Sequence, residues 1–247
     1  MADILYIAVP CYNEQEVLEE TSQRLTKKLT SLISADKISP KSKILFINDG
    51  SKDKTWELME RLHKENEYVS CIKLSRNKGH QNALMAGLMT AKDKADMVIS
   101  IDADLQDDIE VIDDFIAEYY NGCDIVYGVR SARDTDTAFK RGTAQGYYKV
   151  MNAFGVDIVY NHADYRLMSK RALEALADFK EVNLFLRGIV PLIGFKTANK
   201  KYEKREKTCT SQKCKYCTQG GNNLNRCYAK GGYAVVCQSK HLFKGIF

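Results

Sequence analysis

The sequence predicts an α/β domain with a mainly parallel sheet and helices on both faces. Three observations carry this. Short apolar runs rich in β-branched residues recur, and most are followed by a stretch with helical periodicity. The run 97–101 is apolar apart from Ser100, without Pro or Gly, as in a strand buried on both faces. Several runs stop abruptly at polar or acidic residues, which places a polar crevice at the carboxyl ends of the strands, where such sheets bind ligands.

Residues 4–10 form the first predicted strand, stopped by Pro10. Asn13 is the expected N-cap of a helix over about 14–34, with Leu18, Leu25, Leu29 and Leu32 on one face. Residues 44–49 form a second strand ending in an acid. A turn over 50–55 leads into a helix through Trp56, Met59 and Leu62. A third strand covers 69–74, a turn 75–79, and a helix of small residues 81–91. After the 97–101 strand, Val111, Ile112, Phe115, Ile116 and Tyr119 mark a helix that ends at Asn121-Gly122. Residues 124–129 form another strand, 137–154 a helix with Tyr147, Tyr148, Met151 and Phe154 along one side, and 162–169 a last strand.

At 247 residues and 45% hydrophobic content, the chain can bury a sizeable core. Its net charge of +5 is unevenly spread. Residues 201–247 carry 10 Lys+Arg against 2 Asp+Glu, and the first 200 carry 27 against 30. Five of the eight cysteines fall between positions 209 and 237. The main body reads as reduced and cytosolic. Met1-Ala2-Asp3 lacks the basic start of a signal peptide. The longest apolar stretches, such as 188–195, fall far short of the ~20 residues of a membrane span. No Gly-x-Gly-x-x-Gly turn follows the first strand and no Walker loop occurs, which argues against a dehydrogenase and a P-loop NTPase.

Asp102 and Asp104 stand two apart at a strand end, so their side chains point the same way. Paired carboxylates repel and are costly to desolvate, and a cation between them relieves both. Mg2+ or Mn2+ fits, because hard divalent ions bind through one or two carboxylates plus substrate phosphates. Asp107 or Asp108 fills the competing role of helix N-cap. Asp104, with Gln106 beside it, is placed to hold the metal on a diphosphate. Asp49 reads either as an acceptor for a nucleobase edge or ribose, or as the Asx-turn acid of Gly50-Ser51. Arg130, Arg133, Lys140 and Arg141 form a basic cluster that suits an anionic acceptor or an anionic membrane surface, or else a solvated face. Asp164 and Arg166 read as a salt bridge, or as a carboxylate near a reacting carbon.

Ordered motifs give the chain a family resemblance. They are Val9-Pro10-Cys11-Tyr12-Asn13-Glu14, Asn48-Asp49-Gly50-Ser51-Lys52-Asp53-Lys54-Thr55 and Asp102-Ala103-Asp104-Leu105-Gln106-Asp107. Over 4–205 the chain resembles a family 2 glycosyltransferase of GT-A fold. Leu74-Ser75-Arg76-Asn77-Lys78-Gly79-His80, Ala163-Asp164-Tyr165-Arg166-Leu167-Met168-Ser169, Leu186-Arg187-Gly188 and Ile193-Gly194-Phe195-Lys196 make it similar to the polyprenyl-phosphate (bactoprenol or dolichyl) glucosyl- and mannosyltransferases. The resemblance implies that Pro10, Tyr12, Glu14, Asp49, Asp102 and Asp104 bind the nucleotide sugar. It implies that Asp104 and Gln106 hold Mg2+ or Mn2+, that Gln106, Arg130 and Arg141 bind the acceptor phosphate, and that Asp104, Asp164 and Arg166 serve catalysis. The implied reaction moves a hexose, with inversion, from a nucleotide sugar to a polyprenyl phosphate at the cytoplasmic face of the membrane. UDP-glucose is favoured and GDP-mannose is the alternative donor. Competing readings are a soluble family 2 enzyme acting on a glycan or protein hydroxyl, with Asp164 as base, and a nucleotide-sugar-binding protein without turnover. No nucleic-acid partner is expected, and the oligomeric state is not legible.

Beyond Glu203 the pattern changes. Members of that subfamily usually carry a Gly-Glu-Ser-Lys-Tyr-type segment and two membrane spans, where this chain has a Lys- and Cys-rich run with the pair Cys214 and Cys217. One such pair is a weak zinc signal. A change of reading frame or a truncated gene is the favoured reading. It divides the chain into a GT-A domain over 1–205 and a poorly ordered tail over 206–247.

Overall fold

A computed structural model describes residues 2–104, 106–130, 162–179 and 185–203, and three short strands between 208 and 237. The chain divides into two compact units, Met1–Lys204 and Arg205–Phe247. In the first, β1 (Leu5–Cys11), α1 (Leu18–Ser34), β2 (Lys43–Asn48), α2 (Thr55–Glu65), β3 (Val69–Lys73), α3 (His80–Lys92) and β4 (Met97–Ser100) alternate strictly. A 3-10 turn (Ile109–Val111), α4 (Ile112–Tyr120), β5 (Ile125–Arg130), β6 (His162–Ser169), α5 (Lys170–Ala177), α6 (Leu186–Leu192) and β7 (Thr197–Tyr202) follow.

The seven strands form one sheet in the order β3-β2-β1-β4-β6-β5-β7. Neighbours are parallel except for β6, which runs antiparallel to β4 and β5. Side chains alternate across the pleat. Leu5, Ile7, Val9 and Cys11 of β1 pack with Leu18, Leu25 and Leu29 of α1 and with Phe115 of α4. Ala8 faces the other way, into Leu84 and Leu88 of α3 and Leu173 and Leu176 of α5. Each of these leucines or isoleucines, fully buried, contributes roughly 1.5–3 kcal/mol. The small residues of α3 let it approach the sheet: a Cβ on Gly87 would stand 2.6 Å from Ile47 Cδ1. The expected α/β architecture with both faces covered is therefore present, as a mixed, mostly parallel sheet.

One helix start differs from expectation. Asn13 is not the N-cap of α1. Its φ is 57°, its Oδ1 accepts from the Lys52 amide at 2.8 Å, and its own amide donates to Ser51 Oγ. The residue spends its side chain joining the 11–14 segment to the turn after β2, and α1 starts four residues later, capped at Val17 without a side-chain bond. At the other predicted cap, Asp108 accepts from the Glu110 amide at 3.2 Å, as an N-cap does.

In the second unit β8 (Thr208–Cys209), β9 (Cys227–Ala229) and β10 (Tyr233–Cys237) form a small sheet, with β10 antiparallel to β9 and parallel to β8. Cys214, Cys217 and most of the 206–247 tail lie outside the described residues, as do Arg133, Lys140, Arg141 and the predicted 137–154 helix. Among the described residues, no helix is long and apolar enough to cross a membrane.

Candidate active site

A cavity of about 460 Å3 opens at the carboxyl ends of β2, β1 and β4, a size typical of small-molecule sites. Pro10, Cys11, Tyr12 and Glu14 line it from β1, Asp49 from β2, and Asp102, Ala103 and Asp104 from β4. Asn77, Gly79, His80, Ala83, Asp164 and Arg187 complete the lining.

The end of the cavity at β1 and β2 is held by backbone contacts. Asn48 Oδ1 accepts from the Ser51 amide at 3.1 Å, so Asn48 rather than Asp49 braces this turn. Asp49 Oδ1 accepts from the Lys78 amide at 2.7 Å and Oδ2 from the Gly79 amide at 2.9 Å. The carboxylate thus fastens the 76–79 loop over the end of β2. Gly50 completes the fit: its φ is 65°, and a Cβ there would lie 2.4 Å from the Asn77 nitrogen. The Glu14 amide donates to Thr55 Oγ1, which ties the segment after β1 to the start of α2.

The acidic end depends on the reversal of β6. Ser100 pairs with Arg166, so continuing the antiparallel register by two residues puts Asp164 across from Asp102. Ser100 Oγ donates to the Asp164 carbonyl and locks this placement. Ala103 is pinned from below by Thr21 Oγ1 at 2.6 Å. Burial pushes the Asp102 carboxyl above its usual value, and the nearby acids Asp107, Asp104 and Asp164 add to this, while His80 opposes it. Among the described residues, no group of three or more His, Cys, Asp or Glu is arranged to hold a metal ion. A hard cation held by one or two acids and completed by substrate phosphates needs no such group. Asp102 and Asp104 both line the cavity, and a cation would relieve the crowding of acids around Asp102, so the donor set fits Mg2+ or Mn2+.

Asp164 is the hub of the far wall. Arg166 Nη2 donates to it at 2.7 Å, Arg187 Nε and Nη2 at 3.3 and 3.2 Å, and Gln81 Nε2 at 3.2 Å. His80 Nε2 lies 3.4 Å away and 3.8 Å from Asp102. Burial alone would raise the Asp164 carboxyl. The His80 hydrogen bond and the Arg166 and Arg187 charges outweigh it and hold the carboxyl well below the usual 3.8. The same hydrogen bond, with the Asp102 charge, raises His80 above its ordinary 6.5 against the effect of burial.

The cavity brings together Pro10, Tyr12, Glu14, Asp49, Asp102, Asp104 and Asp164 of the residues singled out in the sequence. Gln106 does not line it; its amide donates to Asp104 Oδ1 at 3.1 Å. Arg166 is 1% exposed and reaches the cavity only through Asp164, forming the salt bridge that was one of its two readings. Arg130 stands at the end of β5, where its Nη2 meets Asp107 Oδ1 at 3.1 Å and its Nε meets the Tyr202 hydroxyl at 3.1 Å. Tyr202 donates to the same Asp107 oxygen at 2.6 Å. His80, Gln81 and Arg187 were given no role from the sequence. The available signal was a lone cation in the otherwise apolar stretch 184–195, and a His-Gln pair following the 75–79 turn.

The family model described as Glycosyl transferase family 2 matches residues 6–177. The Bacillus subtilis (strain 168) protein called uncharacterized glycosyltransferase YkoT is 56% identical over 204 residues, 83% of this chain and 60% of that one. The prophage bactoprenol glucosyl transferase homolog of Escherichia coli (strain K12) is 37% identical over 202 residues, 81% of this chain and 63% of that one. This chain thus spans about 60% of the length of the curated relatives it matches. Among solved structures, the mannosyltransferase PcManGT from Pyrobaculum calidifontis, in complex with GDP-Man and Mn2+, aligns with a TM-score of 0.56 at 15% identity, over 86% of this chain and 59% of that one. Glucosyl-3-phosphoglycerate synthase from Mycobacterium tuberculosis aligns at 0.51 and 13%, over 83% and 72%. These structural likenesses bear on the fold, which is GT-A. Together with the crevice at the strand ends, the match over 6–177 and the 56% identity make this chain a member of glycosyltransferase family 2.

Proposed function

We propose that this chain, through a catalytic domain over residues 1–205, moves a hexose from a nucleotide sugar to a polyprenyl phosphate at the cytoplasmic membrane surface, with UDP-glucose the favoured donor. The observation that carries this reading is the state of Asp164. A hydroxyl acceptor needs a base within reach of its proton. The carboxylate facing the reaction end of the cavity is engaged by Arg166, Arg187, Gln81 and His80 and is a very weak base. A phosphate monoester needs no base, because its second pKa is about 6 and it is already largely dianionic at neutral pH. Relatives named as bactoprenol glucosyl transferases agree with a lipid phosphate acceptor.

The nucleoside would lie along Pro10, Tyr12 and Glu14 against the loop fastened by Asp49. Asp104 and Asp102 would hold Mg2+ or Mn2+, with Gln106 beside them, and the ion would supply neutralisation of the diphosphate charge. An acceptor phosphate oxygen attacks the anomeric carbon from the face opposite the nucleoside diphosphate. The new carbon–oxygen bond forms as the bond to the diphosphate breaks, so the centre inverts and the electron pair leaves on the diphosphate. Placement in line and screening of two anions are what the residues must provide.

The test is transfer of radiolabelled glucose from UDP-glucose into organic-extractable lipid, with undecaprenyl phosphate as acceptor and Mn2+ present. Wild type is expected to give labelled lipid and Asp104→Ala to lose at least 100-fold. Mn2+-dependent UDP binding by calorimetry, with no label reaching any lipid phosphate, refutes the proposed acceptor.

A further inference from the structure

Arg187 lies outside every motif role assigned from the sequence, yet its guanidinium borders the cavity. Building on the proposed phosphate acceptor, we infer that Arg187 is the side chain that receives the acceptor's phosphate monoester, and that Asp164 and Gln81 are the positioning residues that aim it.

Sheet order supplies the location. The cavity runs across β2, β1, β4 and β6. Strands stand about 4.8 Å apart, so Asp49 on β2 and Asp164 on β6 are separated by three spacings, roughly 14 Å. A nucleoside diphosphate sugar with its base near Asp49 and its diphosphate near Asp102 and Asp104 directs its sugar toward β6. The acceptor must approach the anomeric carbon from that side. Among the described residues, the cation on that wall that borders the cavity and carries a planar fork is Arg187.

Local bonding supplies the orientation. Arg187 spends Nε and one Nη2 hydrogen on Asp164, which leaves three of its five N–H groups for a ligand. Its side chain is 44% exposed. Held this way, the guanidinium is restricted before a ligand arrives and suits the two-pronged binding of a phosphate. The start of α6 has other anchors besides this salt bridge. The Leu186 amide donates to Gln81 Oε1 at 3.2 Å, and Arg166 Nη1 donates to the Leu186 carbonyl at 3.5 Å. Gln81 thus fixes the start of α6 with its carbonyl and Asp164 with its amide.

The test measures binding of citronellyl phosphate, a short water-soluble prenyl monophosphate, by calorimetry. The full chain is saturated with UDP and Mn2+ beforehand. Wild type is expected to bind. Arg187→Ala is expected to weaken binding at least 10-fold, with UDP affinity within twofold of wild type. Arg187→Lys, which keeps the charge and loses the fork, is expected to fall between them. Gln81→Leu is expected to weaken monophosphate binding while leaving UDP affinity unchanged. Absence of monophosphate binding to wild type, unaltered binding in Arg187→Ala, or an equal loss of UDP affinity in that variant overturns the inference. The lipid-transfer assay separates the two ideas. Wild-type transfer that Arg187→Ala leaves intact sinks the role of Arg187 and spares the reaction. Arg187-dependent monophosphate binding without lipid labelling sinks the reaction and spares the site.

Discussion

Replacing Asp164 with Asn distinguishes an anchor from a base. The substitution keeps the shape and one acceptor oxygen but removes the charge that Arg166, Arg187 and His80 share. Arg166 is 1% exposed, so its uncompensated charge carries the structural cost. Removing one partner of a buried pair costs about 3–5 kcal/mol, and the retained amide oxygen recovers a part, so a loss of about 2–4 kcal/mol is expected. At roughly 2–4 °C per kcal/mol for a chain of this size, the melting temperature should fall by about 5–15 °C. The sign with pH follows from the lowered carboxyl. Its contribution is fully present above its ordinary 3.8 and disappears as pH falls through the folded value. The wild-type advantage should therefore shrink below pH 4 in urea titrations, and the part carried by His80, whose titration Asp164 raises, should be present below pH 6.5 and decline as pH rises through the folded His80 value. In an NMR titration of the imidazole, His80 should have a midpoint above 6.5 in wild type and move back toward it in the variant. In lipid-transfer kinetics, run where the variant is folded, the KM for acceptor should rise about 10-fold. The change in kcat should stay well under the 10²–10⁴ contributed by a general base, with the shape of the pH–rate profile kept. A drop in kcat of about 10⁴ that removes one limb of that profile, with the melting temperature nearly unmoved, refutes the anchor and restores the base.

Two other substitutions probe the walls of the site. Gly50→Ala places a Cβ 2.4 Å from the Asn77 nitrogen at a φ of 65°, so it should cost about 1–3 kcal/mol in chemical denaturation and weaken UDP binding by shifting the 76–79 loop; unchanged stability and UDP affinity would show that the loop is not seated on β2. Arg130→Ala strips Asp107, whose side chain is 2% exposed, of its guanidinium partner, and should cost about 2–4 kcal/mol in stability with a smaller effect on acceptor KM; a large rise in KM with stability intact would instead make Arg130 the phosphate ligand implied by the family resemblance.

The architecture was legible because periodicity and burial agree. The run at 97–101 is apolar but for Ser100, and Met97, Val98 and Ile99 are each fully buried, split between the two cores. The face chosen for α1 through Leu18, Leu25, Leu29 and Leu32 is the buried one. Its start was misread because Asn serves equally as an N-cap and as a residue tolerant of positive φ. What selects the second role is the Lys52 amide, 39 residues away in sequence. The acids were legible for a similar reason: a carboxylate at a strand tip stands out against an apolar run. Their partners were not. The groups that hold Asp49 are backbone amides of Lys78 and Gly79, which every residue but proline possesses. Arg130 sits in a basic cluster that suggests an anion, while its partner Asp107 lies on another loop.

The direction of a single strand decides the chemistry of the far wall. Alternating strands and helices predict parallel neighbours, and a parallel β6 would carry residue 164 to the end of the sheet away from the crevice. Because β6 is antiparallel, its early residues arrive at the carboxyl end of β4 and its last residue, Ser169, pairs with Met97 at the opposite end. The two ends have correspondingly different surroundings. Asp164 meets Arg187, Gln81 and His80 beside the cavity, whereas Ser169 caps α5 and binds Asp124. The same reversal brings Asp164 toward Asp102 together with Arg166 of β6, and Arg187 of α6 joins them to offset the added acid. An acid placed there without those cations would crowd Asp102 and Asp104 with uncompensated charge. Asp164 and its arginines therefore act as one unit, and removing the acid should disturb the proposed phosphate-binding side of the cavity before it disturbs the proposed nucleotide side.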